Sequence, residues 1–252
     1  MINAINLEKY FFQINTLSKF YSYYKIMYKN EHIRNEIKEQ DLKNMYNTAK
    51  SIKSLKIDSQ DFIRNFRNNI ELKADKDINK SIDFLRQQIL VSTFSIFGNF
   101  LVHVVKVYLN IFPKMLKKAE NNRIKARDIA ELKDINLISQ YILEKEIIYF
   151  DRLSLKDKKT YLGKKLKFTE YDDLWKLNDK ELWIEINDKR NLIVHSDEII
   201  ELSEEQFASY LFYFERIIFG IALYAKYYQS VDFIFAKYNE KIPSKERSTL
   251  KW

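Results

Sequence analysis

The longest apolar segment of the chain is Lys80–Phe112, KSIDFLRQQILVSTFSIFGNFLVHVVKVYLNIF. Apolar side chains recur in it from Ile82 to Tyr108 at the spacing of an α-helix. One narrow polar stripe shares this spacing and consists of Gln88, Ser92, Ser95, Asn99, His103, Lys106 and Asn110. Pro113 follows, and a helix does not continue through proline. The segment therefore predicts a long helix that is apolar over most of its circumference and ends before Pro113.

The composition of the whole chain favours the same class of structure. Its 252 residues include only three glycines and two prolines, and 46% of them are hydrophobic. A β-sandwich or a Gly-rich nucleotide-binding fold needs more turn glycines than this. Further helical patterns cover residues 3–30, 31–56, 126–149, 172–195 and 203–239. We therefore expect an all-α protein of long helices joined by polar loops.

A polar run at Asp75–Asn79 divides this series of helical patterns. It predicts an N-terminal helical segment over residues 1–78 and a helical core over residues 79–239. Residues 240–252 form a polar tail, which is typical of a loosely ordered terminus.

Several classes of protein and site are excluded or disfavoured. The absence of cysteine excludes disulfides, thiolate metal sites and a cysteine nucleophile. The first residues show no cationic segment followed by an apolar one, so no signal peptide is expected. Charged residues interrupt the longest apolar stretches, so no membrane span is expected either. These features indicate a cytoplasmic chain with no membrane partner.

The net charge of +8 is compatible with a nucleic-acid partner. A coding bias toward Lys, Asn and Ile would explain the same charge. The basic residues are densest over 152–167, which hold seven Lys or Arg and one acid, Asp157, with Tyr161 and Phe168 close by. This pattern predicts a surface for single-stranded nucleic acid, with Lys158, Lys159, Lys164 and Lys165 as phosphate contacts. The alternative is a solvated loop around Gly163.

A second motif carries candidate chemistry in Asp188–Asp197, DKRNLIVHSD. It combines Arg190 and Asn191 with His195, one of only three histidines in the chain. An imidazole exchanges protons near neutral pH, and a guanidinium holds phosphate, so the motif indicates chemistry on a phosphodiester. On a helix Asn191 and His195 lie about 40° apart, and the long side chain of Arg190 can reach the same side.

Other interpretations of these polar residues stay open. Arg190 could form a salt bridge with Asp188 or Asp197, while His195 caps the end of its helix. On the long helix, Asn99 and His103 either face a cleft as accessory functional residues or belong to the solvent side of a core helix.

The arrangement around Arg190-Asn191-x3-His195 resembles the HEPN superfamily, the higher-eukaryote and prokaryote nucleotide-binding domains. That family has an Arg followed by a polar residue, often Asn, and then a His a few positions later. The likeness covers residues 80–239, with a long apolar helix before the motif and another long helix after it; residues 1–75 have no counterpart.

The resemblance implies an up-and-down helical bundle and a metal-independent endoribonuclease of the toxin, abortive-infection or CRISPR-associated type. Arg190, Asn191 and His195 would form its active site, and an antitoxin or sensor protein could be a partner. Some members of the family retain the fold but act only as binding modules.

RNA cleavage by its own 2′-hydroxyl needs a base, an acid for the leaving 5′-oxygen and cations around the phosphate. One histidine serves poorly as both base and acid, which favours a homodimer with two facing motifs. No metal and no cofactor are expected, since His and carboxylates do not cluster at ligand spacing. The competing hypotheses are a non-catalytic module that binds RNA, a nucleotide or a protein, and a DNA-associated structural protein.

Overall fold

The computed structural model describes residues 4–51, 60–118, 134–166, 180–196 and 199–235, and these are helical almost throughout. The α-helices are α1 (Leu7–Lys29), α2 (Glu31–Ser51), α3 (Gln60–Ile111), α4 (Ile135–Arg152), α5 (Leu155–Lys165), α6 (Lys180–His195) and α7 (Glu204–Gln229). A 3₁₀ helix, Pro113–Lys118, follows α3. Two short strands, β1 (Ile5–Asn6) and β2 (Phe233–Ile234), pair in parallel. The all-α prediction is confirmed, and the described residues contain no sheet of three or more strands.

The described residues belong to two compact units that each draw on distant parts of the sequence. The first unit takes residues from Met1–Asn15, Ser92–Asn187 and Ala208–Trp252, and the second from Thr16–Val91 and Asp188–Phe207. This division differs from the predicted boundary at residue 78. Residues from both ends of the chain share the first unit, where Ile5 of β1 pairs with Phe233 of β2.

The polar run at Asp75–Asn79 does not interrupt the structure, so the predicted break there is wrong. Helix α3 passes through it as part of 52 consecutive helical residues. The run contains neither glycine nor proline, and polar side chains alone do not end a helix. Within it Ile78 is buried and provides an apolar anchor. The predicted end of the helix before Pro113 is confirmed, since α3 ends at Ile111.

An aromatic cluster fills part of the first unit. The ring of Trp183 on α6 lies 5.9 Å from that of Tyr213 and 6.2 Å from that of Phe97. Phe94 meets Phe214 edge to face at 4.9 Å. Such edge-on pairs add about 0.5–1.5 kcal/mol each beyond the area they bury. The apolar face of α3 predicted from the sequence is thus packed against α6 and α7.

In the second unit, Arg86 and Gln87 of α3 hold the connection that joins α6 to α7. Nη1 of Arg86 donates to the carbonyl of Leu202 at 2.7 Å, and Nε2 of Gln87 donates to the carbonyl of Ile200 at 2.6 Å. Arg86 also donates from Nε to the hydroxyl of Tyr21 at 2.8 Å. These bonds satisfy loop carbonyls that would otherwise lack partners. They fix the segment that follows the sequence motif.

Helix α7 begins as predicted but ends earlier. The Ser203 hydroxyl accepts from the Gln206 backbone N–H at 3.1 Å, and the Gln206 side chain accepts from the Ser203 N–H at 3.2 Å, which is a capping box. The helix was expected to reach about residue 239, yet it ends at Gln229. Ser230 has a φ of 54°, a left-handed conformation that ends helices, and β2 follows. Residues 236–239 lie outside the described ranges.

Among the described residues, two helices are long and apolar enough to cross a membrane, judged by length and composition alone. They are Lys76–Ile111 of α3 and Glu204–Gln229 of α7. The most apolar windows of these helices are 44% and 61% buried within the protein. Core helices of soluble proteins meet the same criterion, so this finding does not distinguish a membrane helix from a core helix.

Candidate functional site

The Arg190-Asn191-x3-His195 motif occupies the last two turns of α6, within the second unit. His195 is the final helical residue and is exposed, whereas Arg190 and Asn191 are half-buried. Helix α6 is anchored by the fully buried Ile186. Helical geometry places Ile186 on the side of α6 opposite to His195. The His195 side chain is therefore accessible to solvent.

Arg190 bends along the helix toward its neighbour in the motif. Its Nη1 donates a hydrogen bond to Oδ1 of Asn191 at 3.0 Å. Within the described residues Arg190 makes no ion pair, so the proposed salt bridge to Asp188 is not formed; Asp197 lies outside them. A guanidinium has five N–H donors. One bond to Asn191 therefore orients the group while leaving donors for a phosphate.

The surface around His195 is partly apolar. Leu192 and Val194 are 53% and 45% exposed, and they lie about 160° apart around α6. Helical geometry places Val194 on the side of α6 that carries Arg190 and Asn191, and Leu192 next to His195. The motif thus combines a guanidinium, an amide and an imidazole with two exposed aliphatic side chains.

The proposed accessory residues Asn99 and His103 lie on α3 in the first unit. Nδ1 of His103 is 3.0 Å from the hydroxyl of Tyr10, and that hydroxyl also donates to the Asn99 carbonyl at 3.4 Å. Burial lowers the pKa of His103, and the cations Lys9 and Lys106 lower it further. His103 is therefore neutral at neutral pH and engaged in linking α1 to α3.

Most of the polar stripe on α3 is exposed, including Gln88, Ser92, Ser95, Asn99 and Lys106, while His103 and Asn110 are half-buried. The interpretation of the stripe as the solvent side of a core helix accounts for these residues.

Tyr10 was not singled out from the sequence. It is separated from His103 by 93 residues, and no local spacing signals such a pair.

The basic run forms helix α5 rather than a loop around Gly163. Ser154 caps it by accepting from the Asp157 N–H at 3.2 Å. Capping by serine stabilises a helix start and explains why this polar sequence is helical. Gly163 lies inside the helix, and a Cβ there would meet nothing within 4 Å.

Lys158 is buried, contrary to its predicted place among the phosphate contacts. Its Nζ lies 3.6 Å from Asp151 and 5.5 Å from the centre of the Phe150 ring. Tyr161 is also buried, and its hydroxyl donates to Glu146 at 2.6 Å. Neither residue is available to a nucleic acid, because intramolecular partners hold both.

The other predicted lysines differ in their surroundings. Lys164 is exposed, as is Lys156 on the same helix, whereas Lys159 is half-buried. The side chain of Lys165 and the whole of Phe168 lie outside what the structure describes. Among the lysine side chains of α5 that the structure describes, Lys156 and Lys164 are therefore the exposed ones.

The predicted site residues do not belong to one unit. Arg190, Asn191 and His195 are in the second, while Asn99, His103 and the four lysines are in the first. In the described ranges, no group of three or more His, Asp or Glu side chains could hold a metal ion.

Comparisons with protein-family models, with curated proteins and with solved structures find no match to this chain.

Proposed function

We propose that this protein is an endoribonuclease that cleaves RNA by attack of the 2′-hydroxyl, without a metal ion. The observation that carries the proposal is the motif at the end of α6. There an exposed His195 follows a guanidinium that is already hydrogen-bonded to Asn191 at 3.0 Å. These residues supply a base and an oriented cation, two of the three components that this reaction requires; the third is an acid for the leaving oxygen. The net charge of +8 supports a polyanionic substrate.

In the proposed reaction, His195 accepts the proton of the 2′-hydroxyl, and the freed oxygen attacks the adjacent phosphorus. The bond from phosphorus to the 5′-oxygen then breaks, and that oxygen takes a proton from a protonated imidazole. The products are a 2′,3′-cyclic phosphate and a 5′-hydroxyl. Arg190 stabilises the charge that accumulates on the phosphoryl oxygens, and Asn191 positions the guanidinium.

The acid in this scheme is His195 of a second copy of the chain. The exposed apolar side chain of Val194, on the same side of α6 as Arg190 and Asn191, supports an interface at this place. We further propose a cytoplasmic protein that acts as a toxin or anti-phage effector and is controlled by an antitoxin or sensor protein. The resemblance to HEPN ribonucleases motivates this part of the proposal.

The test is incubation of the protein with total RNA in the presence of EDTA. Wild type should yield fragments ending in cyclic phosphate, while His195→Ala and Arg190→Ala should lose about 100-fold or more in rate. His32→Ala is the matched control, since His32 is also exposed on a helix. Cleavage that persists in His195→Ala would refute the assignment. Binding of RNA without cleavage by wild type would favour the non-catalytic module.

A further inference from the structure

The second unit contains a stretch of α1 that is both aromatic and basic. Residues 16–29, TLSKFYSYYKIMYK, include five aromatic residues, three lysines and no acid. Single-stranded nucleic acids bind to surfaces where bases stack on aromatic rings and cations follow the phosphates. Both components are therefore present within four turns of one helix.

Three of these rings form a series along α1, which we call the aromatic ladder: Phe20, Tyr24 and Tyr28. The centroids of Phe20 and Tyr24 are 6.3 Å apart, and those of Tyr24 and Tyr28 are 4.3 Å apart, with interplanar angles of 37° and 32°. Their spacing of four residues places them on one side of the helix. Phe20 is 54% exposed, and the two tyrosines are half-buried. The ladder thus leaves ring surface accessible along one side of α1.

Tyr21, in contrast to the rings of the aromatic ladder, faces the interior of the second unit. It is buried, with its ring 4.8 Å from Phe207 and its hydroxyl bonded to Arg86. This side of α1 is the one that packs in the second unit. The aromatic ladder is therefore held on a fixed helix rather than on a mobile loop.

An open groove of about 570 Å³ adjoins the ladder within the second unit. Its lining consists of Tyr24, Asp77, Lys80, Ser81, Phe84, Leu85 and Ile199. Phe84 and Ile199 are 49% and 45% exposed, so the groove offers further apolar and aromatic surface. Ile199 follows His195 by four residues in the chain, and the neighbouring Ile200 is bonded to Gln87. One wall of the groove thus belongs to the segment that leaves the motif.

The charges on α1 favour a polyanion over an apolar protein segment. Lys80 lines the groove together with Asp77, which offsets its charge, whereas residues 16–29 of α1 carry the exposed Lys19 and Lys29 and no acid. Two nearby acids are neutralised, because Asp83 pairs with Arg86 and Glu204 pairs with Lys25. An apolar peptide would leave the exposed ammonium groups of Lys19 and Lys29 without partners, whereas phosphates would pair with them.

The tyrosines do not oppose a phosphate backbone. Burial raises the pKa of Tyr24 to about 12, and the neighbouring Tyr28 hydroxyl raises it as well. The Tyr24 ring is therefore uncharged at any physiological pH.

We propose that the aromatic ladder and the adjoining groove bind single-stranded RNA on one side of the scissile phosphate, with bases stacked on the rings. Lys80 pairs with the RNA backbone at this place. The proposal rests on the proposed function for the identity of the substrate. It adds a binding surface on α1 and α3 that lies outside the catalytic motif.

The test is fluorescence anisotropy with a labelled single-stranded oligouridylate, in a His195→Ala background that prevents cleavage. Phe20→Leu combined with Tyr24→Leu keeps apolar volume but removes two rings, and it should raise Kd by about tenfold or more. Lys80→Gln should lower the slope of log Kd against log salt concentration by about one. Ile26→Ala is the matched control, since Ile26 is also an exposed apolar residue of α1 but lies outside the ladder. It should change Kd by less than about twofold.

Thermal unfolding of each variant shows whether it is folded; if the double variant is not, Tyr28→Leu and Lys80→Gln provide the test. Ladder-dependent RNA binding by a wild type that cleaves nothing would support this inference while the proposed function fails. Cleavage by wild type with unchanged Kd in the ladder variants would overturn the inference alone. Equal losses from Ile26→Ala and from the ladder variants would also overturn it. So would conversion of a dimer to a monomer by the ladder variants with unchanged RNA affinity, since the surface would then bind a second copy.

Discussion

At the scale of single residues, His103 and His195 have the same local sequence relation but different surroundings. Each follows an asparagine by four positions, Asn99 in one case and Asn191 in the other. His103 is half-buried and lies at hydrogen-bond distance from Tyr10, whereas His195 is exposed at a helix end. An imidazole must reach the substrate before it can exchange a proton with it. His195 is therefore the histidine to test for catalysis, and His103 the one to test for stability.

The lowered pKa of His103 predicts a stability that depends on pH. The unfolded chain binds a proton at His103 more readily than the folded protein does. The stability that depends on a neutral His103 is therefore fully present above the ordinary histidine pKa. It is lost as pH falls through that value toward the lower folded pKa. Tm of wild type should decrease between about pH 7.5 and about pH 5.5, a range that brackets the ordinary value. The decrease in Tm should be smaller in His103→Gln than in wild type. In His32→Gln it should equal that of wild type. An identical decrease in all three proteins would contradict this account.

Gly163 provides a second test at the residue scale. It lies inside α5, without a positive φ, and a Cβ there would enter open space. Gly163→Ala should therefore raise the free energy of unfolding by about 0.5–1 kcal/mol, because glycine loses more backbone entropy in a helix. Urea denaturation followed by circular dichroism measures the change. A loss of stability would show that another part of the chain approaches the helix closely at this position.

At the scale of elements, helix starts and stops followed local chemistry where the signal was specific. Pro113 marks the end of α3, and the Ser203–Gln206 capping box marks the start of α7. Polarity without such a signal was a poor guide. The run at Asp75–Asn79 continues as helix, and the basic run around Gly163 is a capped helix rather than a loop.

Helix α5 predicts two distinct effects of lysine substitution. Lys156→Gln with Lys164→Gln should weaken RNA binding and flatten its salt dependence, with little effect on Tm, because both side chains are exposed. Lys158→Gln should instead lower the free energy of unfolding by about 1 kcal/mol, since Lys158 is held by Asp151 and Phe150. Filter binding at several salt concentrations and urea denaturation separate the effects. Equal effects of all three lysines on RNA affinity would show that burial of Lys158 does not matter for binding.

At the scale of the whole molecule, the proposed chemistry predicts a symmetric homodimer. Two copies would supply the separate acid and base and two guanidiniums around one phosphate. Val194→Glu should disrupt this dimer, because it places a charge among exposed apolar side chains near the motif. Ile148→Glu is the matched control, as Ile148 is similarly exposed on α4. Sedimentation and cleavage assays should show loss of both the dimer and the activity only in Val194→Glu.

A complementation experiment examines the same prediction without disturbing the interface. Mixing His195→Ala with Arg190→Ala produces heterodimers that retain one intact histidine and one intact arginine from different chains. Partial recovery of cleavage supports a composite site. A monomer that cleaves RNA at the full wild-type rate would refute the dimeric mechanism.

The sequence by itself determined the helical class, several helix ends and the placement of the motif on a helix. These features depend on residues only a few positions apart, namely apolar periodicity, caps and proline. The aromatic and basic character of residues 16–29 was equally visible in the sequence. The exposure of its rings was not, because an aromatic stripe on a helix is usually core, and only the packed structure shows which rings remain accessible.

Only the tertiary structure decided which of the candidate side chains are accessible. It buried Lys158, joined Tyr10 to His103 across 93 residues, and paired Ile5 with Phe233 in one unit. It also turned Arg86 and Gln87 toward the carbonyls of Leu202 and Ile200, more than a hundred positions away. A helical pattern shows which face of a helix is apolar, but it carries no information about what covers that face. Burial and hydrogen bonding depend on partners distant in the chain, so they are established only when the helices pack.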